Sequence, residues 1–247
     1  MPVADKMTLV SDWVTQYPQT AVLFEELHID YCCGGCIPLS VACQGQGLDP
    51  DDILSRLTGT AAVSNPGSAK NWSDSSLSEL CEHIVATHHS WLRIALPRLT
   101  DLIDKVVKAH GASRPELAEL QHVFAELRGE LEPHMFKEER ILFPAIQQLE
   151  HSSSRPQFPF GTVANPIRVM EDDHDTVAAA LQRIRMLTKG FQVPDDACNA
   201  WRAMLDDLRQ LESDTHMHVH KENNILFRKA QQLEASRPED HQVRSAS

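Results

Sequence analysis

The chain has no apolar run long enough to cross a bilayer, so no membrane-spanning helix is expected. Its start, Met1-Pro2-Val3-Ala4-Asp5-Lys6, lacks the basic region and apolar stretch of a secretory leader. No cluster of Lys or Arg interrupts a formal net charge of −12, which argues against a nucleic-acid surface. Six cysteines in 247 residues are too sparse for a secreted disulfide scaffold, and three of them crowd into Cys32, Cys33 and Cys36. These absences point to a reducing cytoplasm. What is present is a hydrophobic content of 42%, enough for a core, in a length that suits a medium domain with a small companion. Thirteen histidines are the excess, most of them inside helical patterns.

The patterns predict an all-α protein. Residues 1–58 read as short helices around Asp30-Tyr31-Cys32-Cys33-Gly34-Gly35-Cys36, where two glycines relax the backbone and expose the thiols. So small a block needs docking or a homodimer for stability. Residues 59–72 are linker-like. Residues 73–233 read as an up-down-up-down four-helix bundle. Ser76-Leu77-Ser78-Glu79 is a capping box opening the first long helix, and Ser113-Arg114-Pro115-Glu116 offers another for the second. Asn165-Pro166 is read as capping the third helix and Pro194-Asp195-Asp196 as opening the fourth. The charged tail, 234–247, is expected to be disordered.

One stretch is written twice. His134-x-x-Lys137-Glu138-x-x-Ile141-Leu142-Phe143 returns as His218-x-x-Lys221-Glu222-x-x-Ile225-Leu226-Phe227, 84 residues on. A His and a Glu four residues apart lie about 40° apart around a helix, so both can face one object. His89 and His174 precede the two motifs by 45 and 44 residues. A single His-x-x-x-Glu is commonly a solvated helix pair. Two matched copies, each with a preceding His, make His89, His134, Glu138, His174, His218 and Glu222 a ligand set. Imidazole with carboxylate suits iron, manganese or zinc, and carboxylates able to bridge favour two metals. Of the adjacent His88 and His89 only one is expected to face inward. His83, His110, His122, His151 and His241 are read as surface or structural. Asp173 and Glu130 are candidates to orient imidazoles or pass protons, with ordinary surface charge as the alternative. Pro133 and Pro144 bracket the first motif, where a kink could aim the ligands.

These residues resemble the hemerythrin-like domains. The Asp30-Tyr31-Cys32-Cys33-Gly34-Gly35 turn resembles the N-terminal domain of the di-iron iron–sulfur cluster repair proteins. The resemblance runs from about Leu9 to Leu233, and the Lys-Glu-Glu-x-Ile-Leu-Phe-Pro segment is its other specific element. It implies two non-haem irons at the six ligands, with a bridging oxo or hydroxo group. It also implies repair of clusters damaged by nitrosative or oxidative stress, by donating iron to damaged or apo iron–sulfur proteins. The alternatives are a nitric oxide or oxygen sensor and a nitric oxide reductase. An oxygen carrier is disfavoured, because Ala178 stands where a further His belongs and Glu222 replaces the Asp of a His-x-x-x-x-Asp ending. Cys32 and Cys33 would relay electrons, iron or nitrosyl groups, with a structural turn as the alternative. Cys36 makes Cys33-x-x-Cys36 a redox pair or, with Cys43, a weak metal site. Cys81 and Cys198 read as ordinary buried cysteines.

Overall fold

The computed structural model describes residues 5–63 and 70–238. Regular structure there is helical, with two isolated β-bridges, Leu9 to Pro38 and Phe158 to Gly161. No helix is long and apolar enough to cross a membrane among the described residues.

The small N-terminal unit comprises α1 (Val10–Gln16), α2 (Ala21–Glu26), α3 (Leu39–Gly45) and α4 (Pro50–Val63). Its core of Trp13, Val14, Phe24, Tyr31, Leu39, Ile53 and Leu57 also includes Val219 from the bundle. The block therefore completes its apolar interior by docking. Between α2 and α3 the chain folds around Asp30, whose carboxylate accepts the N–H groups of Cys32, Cys33 and Gly34 at 2.8–3.1 Å. The glycines are there for clearance: a Cβ on Gly35 would lie 2.5 Å from the Tyr31 carbonyl oxygen. This tight wrapping corrects the expectation of exposed thiols, for Cys32 is buried and Cys33 half-buried, while Cys36 is exposed. Cys43 is packed in the small core.

The bundle has four long helical segments. The first joins α5 (Leu77–Ile84) and α6 (Ser90–His110), and the second joins α7 (Glu116–Lys137) and α8 (Phe143–His151). The third is α9 (Ala164–Leu187), and the fourth joins α10 (Asn199–Lys221) and α11 (Phe227–Ser236). The predicted Ser76 capping box forms, with both of its reciprocal hydrogen bonds. The Ser113 box does not: α7 starts after Pro115 without a side-chain cap, and Ser113 Oγ turns back to the His110 carbonyl. The third helix starts one residue before Asn165, and the fourth at Asn199, past the Pro194 turn. The predicted linker also begins too early, since α4 continues to Val63; of the rest, residues 64–69 lie outside the described residues. At the other end α11 extends past 234, because Glu234 is buried and accepts the Val163 N–H. Residues 239–247, with His241 and most of the expected disordered tail, lie outside the described residues.

Three of the four segments are interrupted by a five-residue π-helical turn: Val85–His89, Glu138–Leu142 and Glu222–Leu226. Each contains or adjoins ligand candidates, the usual setting of such turns. Proline is not their common cause. Pro144 follows the second turn, but the equivalent position after the third is Arg228, and the first has no proline within it. The first turn also brings both His88 and His89 inside, which corrects the expectation that only one could be buried. Two apolar layers flank the turns. Leu92, Leu96, Phe124, Leu127, Val177 and Leu208 belong to one, and Leu80, Ile84, Leu142, Ile146, Ile167 and Leu226 to the other.

Glu150 ties two segments at the outer end, accepting the Leu77 and Ser78 N–H groups and the Ser78 hydroxyl at 2.6–2.9 Å. Burial pushes its carboxyl pKa up, but these donors outweigh that and hold it below the ordinary value. Such a contribution is present above the unfolded value and lost as pH falls through the native one. Glu150→Ala is therefore expected to cost about 1–2 kcal/mol at neutral pH. In urea titrations the wild-type and variant stabilities should converge below about pH 4.

Candidate metal centre

Six side chains meet between the two apolar layers. His89, Glu138, His218 and Glu222 place ligand atoms within 4.8 Å of one another, and so do His134, Glu138, His174 and Glu222. All six are at most 2% exposed. Each cluster takes one histidine from each half of the repeat, and both use both glutamates. Glu138 Oε2 lies 3.3 Å from His89 Nε2 and 3.4 Å from His134 Nε2. Glu222 sets Oε1 2.9 Å from His218 Nε2 and Oε2 3.1 Å from His174 Nε2. The carboxylates thus straddle the two clusters, and neither helical hairpin can assemble a cluster alone.

The donor set fits cations. Both Glu138 oxygens are buried without a hydrogen-bond donor, and so is Glu222 Oε2. Burying a carboxylate without compensation costs several kcal/mol. The imidazoles face each other with Nε2–Nε2 separations of 3.1 Å, His89 to His218, and 3.2 Å, His134 to His174. Three of the rings give their Nδ1 proton away from the centre. His89 donates to Glu139 at 2.7 Å, His134 to Asp173 at 3.2 Å, and His174 to Asn223 Oδ1 at 2.9 Å. A neutral ring whose Nδ1 holds the proton must present a lone pair at Nε2. Lone pairs and carboxylate oxygens pointed together into a buried site repel unless positive charge lies between them. Metal-ligating histidines are oriented by this kind of outer contact.

Without metal, protons supply that charge. Burial pushes the His174 pKa down, but its contact with Glu222 overrides this and lifts it to about 9. His89 is likewise raised by Glu138 against its burial, whereas burial leaves His218 lowered. Asp173 is held at about 2, first by its hydrogen bond from His134, against burial, and then by Lys137.

Of the groups expected to orient imidazoles, Asp173 does contact His134, and Lys137 donates to the same oxygen. Glu130 is corrected: it is exposed on α7, and the carboxylate that reaches an imidazole is Glu139, anchored in turn by Arg93 at 2.6 Å. Neither Glu139 nor Asn223 was picked out from the sequence. The repeat held the signal, since they are equivalent positions 84 residues apart, each following a ligand glutamate. Asn223 Nδ2 also lies 3.9 Å from Cys33 Sγ, linking that thiol to His174. The Cys32 and Cys33 sulfurs are 3.8 Å apart. The Cys32 thiol donates to Cys33, which lowers the Cys33 pKa against its burial and raises that of Cys32. Cys36 faces the Arg228 guanidinium at 2.6 Å. A weak metal site through Cys36 and Cys43 does not form, because Cys43 is sealed in the small core and neither metal-capable cluster among the described residues contains a cysteine. Cys81 is buried as expected, but Cys198 is exposed, placed at the start of α10 beside His110.

Two consequences can be measured. Metal loading at neutral pH is expected to expel protons, because the contact with Glu222 lifts the His174 pKa to about 9 and an imidazole binds metal only when neutral. Calorimetry in buffers of different ionisation enthalpy should show this release. Affinity should weaken by about tenfold per pH unit for each proton released as pH falls. Chelation should lower the melting temperature, since metal at about 100 times its Kd stabilises the fold by roughly 2.7 kcal/mol.

Comparison with known proteins agrees with this architecture. The Hemerythrin HHE cation binding domain matches residues 82–230, and the ScdA_N domain, a domain of unknown function (DUF542), matches residues 7–61. A probable iron-sulfur cluster repair protein of Haemophilus influenzae is 34% identical over 223 residues, covering 88% of this chain and 94% of that protein. The iron-sulfur cluster repair protein YtfE of Pectobacterium carotovorum is 34% identical over 213 residues, and that of Dickeya chrysanthemi 36% over 214. Each of these covers 86% of this chain and 91% of the relative. With a hemerythrin bundle behind an ScdA_N domain, this chain belongs to the hemerythrin-like iron–sulfur cluster repair family.

Proposed function

We propose that the chain repairs damaged iron–sulfur clusters, and that it does so by holding two non-haem iron ions at the six buried ligands and giving iron up to damaged or apo iron–sulfur proteins. The observation that carries this reading is the pair of clusters sharing both glutamates, in a chain whose relatives bear the repair name. Bound iron would supply a transferable metal and a redox-active centre. The protein's part is to position and to release. Glu139, Asp173 and Asn223 fix three imidazoles with Nε2 inward. Glu138 and Glu222 would each serve both clusters, and carboxylates exchange protons and partners more readily than a full set of imidazoles. Cys33, half-buried and joined to His174 through Asn223, is the proposed thiol for passing iron or electrons outward. The proposed setting is the cytoplasm, where reductants keep thiols such as the six unpaired cysteines reduced.

A second reading, a sensor of nitric oxide or oxygen, is favoured by the same Asn223 link, which joins the centre to the small domain. It requires a ligand-dependent change without loss of iron. Turnover of nitric oxide to nitrous oxide would instead mark a reductase.

Iron-loaded protein incubated with an inactive apo-cluster enzyme should lose iron while the acceptor regains activity. Retention of all its iron alongside a recovered acceptor would defeat donation. Glu138→Leu should lower iron occupancy at both positions, by elemental analysis, because one carboxylate serves both clusters. Full, normally coupled iron in that variant would remove Glu138 as a bridge.

A further inference from the structure

The duplicated motif carries its own comparison. Lys137 and Lys221 occupy equivalent positions, each one residue before a shared glutamate. Asp173 and His88 are equivalent too, each one residue before a ligand histidine. On one side the charges close, because Asp173 accepts from both His134 Nδ1 and Lys137 Nζ. On the other side that carboxylate is missing. His88 replaces it, with its ring parallel to His218 at 5.2 Å, and a ring stacked face to face cannot accept from its neighbour's Nδ1. His218 Nδ1 is accordingly buried and unpartnered. Lys221, 8% exposed, donates to two imidazole nitrogens, His83 Nε2 and His88 Nε2, both at 2.8 Å. Asp214 stands behind His88, accepting from its Nδ1 at 2.9 Å, so it reaches the ammonium only through a ring.

Beside Lys221 a cavity of about 230 Å³ opens at the seam between α1 and the bundle, lined by Thr15, Lys70, Trp72, His83, His220 and Lys221 among others. No acidic side chain lines it among the described residues, in a chain with 35 of them. Lys70 Nζ sits 4.4 Å from the Trp72 ring centroid, with Glu79 3.4 Å away as its ion partner. Trp72 stacks on His83 at 3.8 Å, giving the cavity a flat wall.

We propose that this cavity binds one small oxyanion, held between the ammonium groups of Lys221 and Lys70, which supplies the negative charge that Asp173 supplies to Lys137. The volume admits a planar or tetrahedral oxyanion with attendant water. A buried ammonium gains more from a charge-assisted hydrogen bond than from a neutral acceptor. The bound anion lies against Thr15 and His220, which already share a 3.1 Å hydrogen bond, and so ties α1 to α10. Through His88 it stands one ring away from His218. This site goes beyond the repair reading and does not depend on it.

Isothermal titration of sodium phosphate and of sodium nitrate into the iron-loaded full-length chain, at fixed ionic strength and with iron measured before and after, tests the proposal. Saturable binding of either anion, at one per chain, is expected. Lys221→Met should raise Kd about tenfold or more, Lys221→Arg should retain binding, and Lys70→Met should weaken it severalfold. Lys70 touches none of the six ligands, so Lys70→Met should keep its iron and separate the anion site from the metal centre. Absence of saturable heat from both anions at millimolar concentration would overturn the proposal. So would heat undiminished in both methionine variants, since the anion would then bind elsewhere, including on iron. Failure of iron transfer with this binding intact would instead count against the repair reading alone.

Discussion

Two carboxylates buried between four imidazoles, with too few donors of their own, set the terms for the rest of the bundle. Glu138 and Glu222 are fully buried and cannot be left charged and uncompensated. Protons or metal ions must occupy the space between them and the Nε2 atoms. The outer contacts to Glu139, Asp173 and Asn223 hold the Nδ1 proton on three rings, so the inward Nε2 is the atom left to take either a proton or a metal ion. A bundle stabilised only by its own packing would gain from six apolar residues there. That this chain keeps six polar ones is the physical case for a functional centre.

The helices are bent to this purpose locally. A π-helical turn inserts one extra residue per turn and shifts which side chains face inward. Such turns fall at the ligands on three segments, and the remaining one, α9, supplies His174 from an uninterrupted helix. The two apolar layers lie on either side of these turns. The small domain is joined to the same level of the bundle. Asn224 donates to the Cys32 carbonyl at 2.8 Å, and Asn223 lies within reach of Cys33, both from the third π turn. One five-residue stretch thus carries a ligand candidate, Glu222, and contacts the thiol turn, which gives a direct structural path between the two.

The fold class and all six ligand candidates were legible because helical spacing and duplication are properties of the chain itself. His134 and Glu138 announce a shared face, and His218 and Glu222 repeat it. The pairing across halves was not legible, since nothing local says that His89 meets His218 rather than His134. The π turns were hidden for a related reason. A one-residue change in helical register leaves no mark in residue types, and the prolines near the first motif suggested a kink where the backbone instead widens. Glu130 draws notice because it lies one turn from His134, whereas the carboxylate that reaches an imidazole, Glu139, serves His89 on a different segment. Capping signals held where a side chain was free to fold back, as at Ser76, and failed where proline or a distant carboxylate took over, as at Pro115 and Val163.

The account stands on metal occupancy of a particular kind. Elemental analysis with Mössbauer spectroscopy of the protein, expressed with iron-57 and purified without oxygen, addresses it most directly. Two clusters joined by two shared carboxylates predict two irons per chain with magnetically coupled, similar environments. A chain that holds a single iron, or only zinc after misloading during expression has been excluded, would contradict it.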